Sequence, residues 1–227
     1  MRNFLQHYTP LQVIVHLGAW FPFARLTVDF LTDNLSANPI QAMEQRTGRA
    51  AVTLLLLSLA CTPLSSVFGW REPIRHRRAL GLYAFLYAAI HVLIFMDLDY
   101  GLAWSLIGQT IFQKPYILVG AAAFLLLIPL AATSFDVWKM RLKKNWKRLH
   151  QVVYFTAPLA VLHYAWSKKG DLFSLQGDIL RPLVYALVLL LLMLLRLPAV
   201  KRPLASLWTR ILIPLTRPGS RPKATLD

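Results

Sequence analysis

Leu183-Val184-Tyr185-Ala186-Leu187-Val188-Leu189-Leu190-Leu191-Leu192-Met193-Leu194-Leu195 is a run without a single charge. A helix needs about 20 predominantly apolar residues to cross the hydrocarbon core of a bilayer, and this run with its flanks supplies them. Hydropathy marks six such blocks, near Leu11–Leu31, Gly48–Val67, Ala79–Met96, Tyr116–Phe135, Leu149–Trp166 and Leu180–Leu197. The whole chain of 227 residues is 56% hydrophobic and 15% charged, with mean hydropathy +0.48. Soluble domains are about 45–50% apolar and about 25% charged, so a soluble fold is excluded. The expected fold is all-α: a polytopic membrane protein built as a six-helix transmembrane bundle. Residues 1–10 form an N-terminal segment and 11–197 the spanning domain. Residues 198–227 form a basic tail too short for a core of its own. Only Arg2 charges the extreme N-terminus and no small-residue cleavage site follows, so the first block reads as a retained span.

The 25 Lys+Arg against 10 Asp+Glu leave a net charge of +15. In a soluble protein this would suggest nucleic acid. In a membrane protein it is a topology signal, because basic residues collect in cytoplasmic loops. Arg71–Arg78, Lys139–Arg148 and the segment after Arg196 lie on one side of the alternating spans and hold most of the cations. Seven of the ten acids, Asp97 and Asp99 among them, lie on the other. Both termini are therefore expected in the cytoplasm, in contact with membrane lipids and not with nucleic acid. Cys61 is the only cysteine. That excludes an intrachain disulfide, a four-cysteine metal site and covalent C-x-x-C-H haem attachment. No G-x-G-x-x-G or P-loop is present to bind a nucleotide, and no repeat is evident.

His16, His91, His150 and His163 fall within or at the ends of apolar blocks. Ionisable groups inside a bilayer are costly and usually functional, although an imidazole can also serve as a structural hydrogen-bonding group between helices. His91 lies six residues before Asp97 and His163 five before Lys168, on blocks that run in the same direction. Both are thus expected at one depth in the outer half of the membrane, where two facing imidazoles suit a six-coordinate haem iron. Zinc would call for four ligands. His150 stands thirteen residues before His163, ~20 Å along a helix, but an ideal helix would turn the two rings about 140° apart. Pro158 between them offers a kink that changes the phase. His7 and His76 are read as solvated.

A set of short motifs carries a resemblance: Asn38-Pro39, Thr47-Gly48-Arg49, Thr62-Pro63-Leu64, Arg77-Arg78-x-x-Gly81-Leu82, Lys114-Pro115-Tyr116, Thr133-Ser134, Trp146-x-x-Leu149-His150-x-x-x-Tyr154 and His163-Tyr164-x-Trp166. With His91 they span about residues 10–200. The chain resembles the ferric reductase-like transmembrane domain shared with NADPH oxidases. More specifically, it is similar to the haem-binding membrane subunits of bacterial periplasmic methionine sulfoxide reductase systems.

The resemblance implies one or two haem b groups stacked across the bacterial inner membrane, and a bound FMN. His91 and His163 are the expected ligands of the outer haem and His150 of the inner one. The wider family places a histidine fourteen positions before His91, where this chain has Arg77. Arginine has no free lone pair for iron, so Arg77 and Arg78 are expected to bind a propionate or the flavin phosphate, with His16 a possible substitute ligand. Electrons are expected to come from quinol or a cytoplasmic flavin reductase. They would pass to a periplasmic molybdopterin-containing subunit that repairs methionine sulfoxide, which leaves substrate chemistry to the partner. The competing readings are a self-contained transmembrane ferric or oxygen reductase and, from a different class, a non-redox transporter with buried histidines.

Overall fold

The computed structural model describes residues 9–168, 170–171, 176–177 and 179–216, and what it describes is almost wholly helical. The helices are α1 (Pro10–Leu31), α2 (Pro39–Phe68), α3 (Pro73–Leu93), α4 (Trp104–Gln113), α5 (Pro115–Ala132), α6 (Asp136–Leu142), α7 (Lys144–Gln151), α8 (Val153–Trp166), α9 (Leu180–Leu194) and α10 (Pro198–Thr216). A wide π-helical turn, Ile94–Asp99, prolongs α3. Gly170–Asp171 and Gln176–Gly177 pair as a minimal antiparallel ladder between α8 and α9.

Proline punctuates the chain. It stands at the first position of α1, α2, α3, α5 and α10, where its missing N–H costs no hydrogen bond and its fixed φ starts a helix. Thr9 caps α1 and Asn38 caps α2, each side-chain oxygen accepting from an amide in the first turn. Gly69, at φ +74°, ends α2 in the left-handed conformation that glycine adopts freely.

Among the described residues four helical segments are long and apolar enough to cross a membrane: α1, α2, α3 with its π turn, and α5. A fifth is added if α9 and α10, bent by 84° at their junction, count as one broken span. This is fewer than the six spans expected. The last two blocks are shorter as helices than as hydropathy segments: α8 has 14 residues because the chain breaks at Val152, and α9 has 15.

α2 is the hub and packs against α1, α3, α8, α9 and α10, while α5 pairs with α8. Small residues let the helices approach: Ala19 of α1, Ala84 of α3 and Ala157 of α8 are at most 1% exposed, around Leu59 of α2. Pro22 interrupts α1, and the buried Tyr87 of α3 repairs the break. Its hydroxyl accepts from the Phe23 amide (3.0 Å) and donates to the Ala19 carbonyl (2.7 Å). An unbroken helix would join those two groups directly.

Two chemically different ends result. The basic end carries Arg77, Arg78, His150 and Arg196. At the far end the buried Asp29 of α1 binds both Arg25 and Arg46.

Candidate functional site: two imidazole centres at opposite ends of the bundle

At the far end, His91 on α3 and His163 on α8 meet with ring centroids 6.1 Å apart and planes at 68°. Each ring is aimed by a carbonyl of a different helix. His91 donates from Nδ1 to the Glu44 carbonyl of α2 (3.0 Å), and His163 from Nδ1 to the Tyr116 carbonyl of α5 (2.7 Å). A backbone carbonyl can only accept, so both rings carry their hydrogen on Nδ1 and keep the Nε2 lone pair. Glycines give the rings room. A Cβ on Gly48 would stand 3.3 Å from Nδ1 of His91, and one on Gly120 only 2.6 Å from Nδ1 of His163. Tyr116 also stacks its ring on His163.

The arrangement is duplicated. In each half the accepting carbonyl precedes the glycine by four residues and the histidine by 47, as Glu44–Gly48–His91 and Tyr116–Gly120–His163. The sequence reading found no repeat. This one consists of positions rather than shared residues, and only Gly and His recur.

At the basic end His150 stacks on Trp146 (4.0 Å between centroids) and donates from Nδ1 to the Trp146 carbonyl of its own turn. Its Nε2 is buried and makes no hydrogen bond among the described residues, although the Leu130 carbonyl of α5 lies close enough to bear on the ring. The break at Gln151–Val152, upstream of Pro158, resets the phase between His150 and His163, so the ideal-helix angle does not apply. Arg77 donates to Thr62 Oγ1 (3.2 Å) and lies within electrostatic reach of His150. Arg196, read in the sequence only as a topology charge, donates to the Tyr154 hydroxyl (2.8 Å) and the Leu59 carbonyl, and its guanidinium lies over the Tyr154 ring. Among the described residues neither arginine has a carboxylate partner. Two such cations at the end of an apolar bundle have the chemistry to hold an anion.

The other candidates lie elsewhere. Arg78 pairs with the exposed Asp136 (3.3 Å). His16 hydrogen-bonds the Tyr83 hydroxyl (2.8 Å), and no described contact joins it to His150. His76 is not solvated: it lies in the first turn of α3, only 8% exposed. His7 lies outside the described residues. Sequence reasoning missed the two carbonyls, Gly120 and Arg196. Arg196 announces itself only as a charge directly after the last apolar run.

Among the described residues no three His, Cys, Asp or Glu side chains converge as a metal site. A pair of facing imidazoles suits an ion whose remaining ligands come from a planar macrocycle.

Comparison with known proteins agrees. Residues 47–161 match the family described as "Ferric reductase like transmembrane component". The "Protein-methionine-sulfoxide reductase heme-binding subunit MsrQ" of Xanthomonas axonopodis pv. citri (strain 306) is 46% identical over 167 residues, 71% of this chain and 77% of the relative. The protein of the same description from Xanthomonas campestris pv. campestris (strain 8004) is 44% identical over 185 residues, 79% and 82% of the two chains. That from Herminiimonas arsenicoxydans is 38% identical over 189 residues, 83% and 84%. No solved structure matches. With the family match covering residues from α2 to α8 and these relatives aligned over most of both chains, the chain belongs to the ferric reductase-like transmembrane family and, within it, to the haem-binding subunits of protein-methionine-sulfoxide reductases.

Proposed function

We propose that the protein is a b-type cytochrome of the bacterial inner membrane. In this reading it passes electrons from the quinone pool or a cytoplasmic flavin reductase to a periplasmic molybdopterin-containing enzyme that repairs methionine sulfoxide in proteins. The observation that carries the proposal is the far-end pair. A metal–imidazole bond is ~2 Å long, so two rings ligating one ion from opposite sides stand about 6 Å apart between centroids. His91 and His163 stand at 6.1 Å with both Nε2 lone pairs available.

A haem b held there supplies one-electron chemistry at its iron. The chain does the rest. The Glu44 and Tyr116 carbonyls fix the tautomer and orientation of both ligands and raise their basicity. The apolar bundle keeps water from the iron. At the basic end the orphaned Nε2 of His150 is a ligand for a second haem, and Arg77, with Arg196 beside it, fits a propionate. FMN belongs to the same reading, with its phosphate among the basic loops near Arg77 and Arg78.

The excess of Lys and Arg at that end supports a cytoplasmic position for it and for both termini in this reading. Six crossings then follow, by α1, α2, α3, α5, α7 with α8, and α9, with residues 1–10 and 198–227 outside the spanning domain. The test is an absorption spectrum of the purified full-length protein. A Soret band with low-spin α and β bands on reduction is expected. A colourless protein that takes up no haem on reconstitution would overturn the proposal.

A further inference from the structure

A groove of about 750 Å³ runs along α1 and α2, reaching α3 at one end and bounded by Tyr185 of α9. On α1 its lining extends from Leu11 to Asp29, ~27 Å at 1.5 Å per residue. The middle is apolar, with Gly18 and the half-exposed Leu57 on opposite walls.

The two ends differ. Arg25, Arg46 and Arg49 line the far end, and Asp29 pairs with the first two. At the basic end the lining is Trp70, Pro73 and His76, and none of the neighbouring arginines contributes. His76 is 8% exposed, makes no hydrogen bond among the described residues, and has a buried, unpartnered Nε2. Such an orphan costs on the order of 1–3 kcal/mol unless a ligand satisfies it.

The occupant's chemistry follows from this distribution. Its body is a long apolar chain. Its head is small enough to lie beside Trp70, offers an oxygen to an imidazole, and carries no charge, because no cation lines the groove there. A phospholipid headgroup fails the last condition. We infer that the groove binds an isoprenoid quinone, with its ring beside Trp70, a ring oxygen hydrogen-bonded to His76, and its tail running past Gly18 and Leu57. The inference deepens the proposed function by siting one of its donors, and it rests on electrons entering at the basic end.

The test uses full-length, haem-loaded protein in lipid nanodiscs, titrated with a decyl-substituted benzoquinone, with bound quinone measured by filtration. One saturable site is expected. His76→Ala should weaken it at least tenfold and His76→Gln, which keeps a donor and an acceptor, should recover part of the loss. A Cβ at Gly18 meets nothing within 4 Å, so Gly18→Trp can project into the groove without disturbing the bundle, and it should abolish binding. The Soret band should be unchanged in all three variants. Wild-type protein without saturable binding, variants that bind like wild type, or a co-purifying phospholipid displaced by Gly18→Trp in place of quinone would each overturn the inference. The haem spectrum of the same samples separates the two readings. Quinone binding by protein that takes up no haem defeats the proposed function and leaves the groove assignment standing. Haem-loaded protein that ignores quinone defeats only the groove assignment.

Discussion

At the far end each histidine takes its orienting carbonyl from a neighbouring helix, Glu44 of α2 for His91 and Tyr116 of α5 for His163. At the basic end His150 takes its carbonyl from its own turn, at Trp146, and its surroundings hold two arginines instead of a second imidazole. The first arrangement makes ligand position a property of helix packing, because two helices must meet to aim each ring and four to aim the pair. The second rests mainly on its own turn, with the Leu130 carbonyl of α5 also bearing on His150. Arg77 of α3, with Arg196 beyond α9, supplies positive charge nearby. The far centre is therefore set by contacts between helices, and the near one by its own turn and two cations.

The largest expected effect is on the far centre. His91→Ala or His163→Ala should remove its low-spin haem signal completely while the protein still inserts, and His150→Ala should leave it intact. Full low-spin haem in either of the first two would break the comparison at its root. The glycines sharpen it. Gly120→Ala puts a Cβ 2.6 Å from the His163 ring, whereas Gly48→Ala puts one 3.3 Å from His91. Overpacking costs about 1–3 kcal/mol, so Gly120→Ala should lower far-centre haem occupancy by tenfold or more. Gly48→Ala should change it by only a fewfold. Haem titration of the two apoproteins measures both, and equal losses would mean that packing does not aim the rings.

The third effect is smaller and confined to the basic end. Arg77→Ala should lower the potential of the near haem or weaken its binding severalfold, with the far-haem potential unchanged in a spectroelectrochemical titration. A shift of both haems would show that the two ends are not independent. The smallest effect concerns donor docking. Lys143, Lys144 and Lys147 lie at and just after the junction of α6 and α7, on the same side as His150. Changing all three to Gln should slow haem reduction by an anionic flavin donor more at low than at high ionic strength. This requires proof that the variant keeps its topology. Unchanged rates at every salt concentration would reduce the loop to a topology signal.

Much of this was legible in the residues. The apolar blocks foretold α1 and α5 within three residues and the apolar parts of α2 and α3, whose polar first turns, from Pro39 and Pro73, begin nine and six residues before the blocks. The pairing of His91 with His163 followed from their similar distances, six and five residues, to the first charged residue, a depth gauge that needs no packing information. The lengths of the last helices were not legible in the same way. Hydropathy sums over Leu149–Trp166 and cannot see that the helix restarts at Val152. Nor could the charge pattern distinguish the buried His76 from the exposed Arg75 before it or the half-buried Arg77 after it, since three residues of one turn face three directions. Arg196 was hidden by the same averaging. It counts as one more cation until the fold lays it across Tyr154.

The hydroxyl of Tyr87 bears on biogenesis. When α1 first enters the bilayer, Pro22 leaves the Ala19 carbonyl and the Phe23 amide poorly joined. Open backbone groups in hydrocarbon cost several kcal/mol each. The group that closes them belongs to α3, 64 residues downstream of Phe23. The bridge can therefore close only when α3 stands beside α1: the helix that carries His91 also supplies the hydroxyl that completes the first helix.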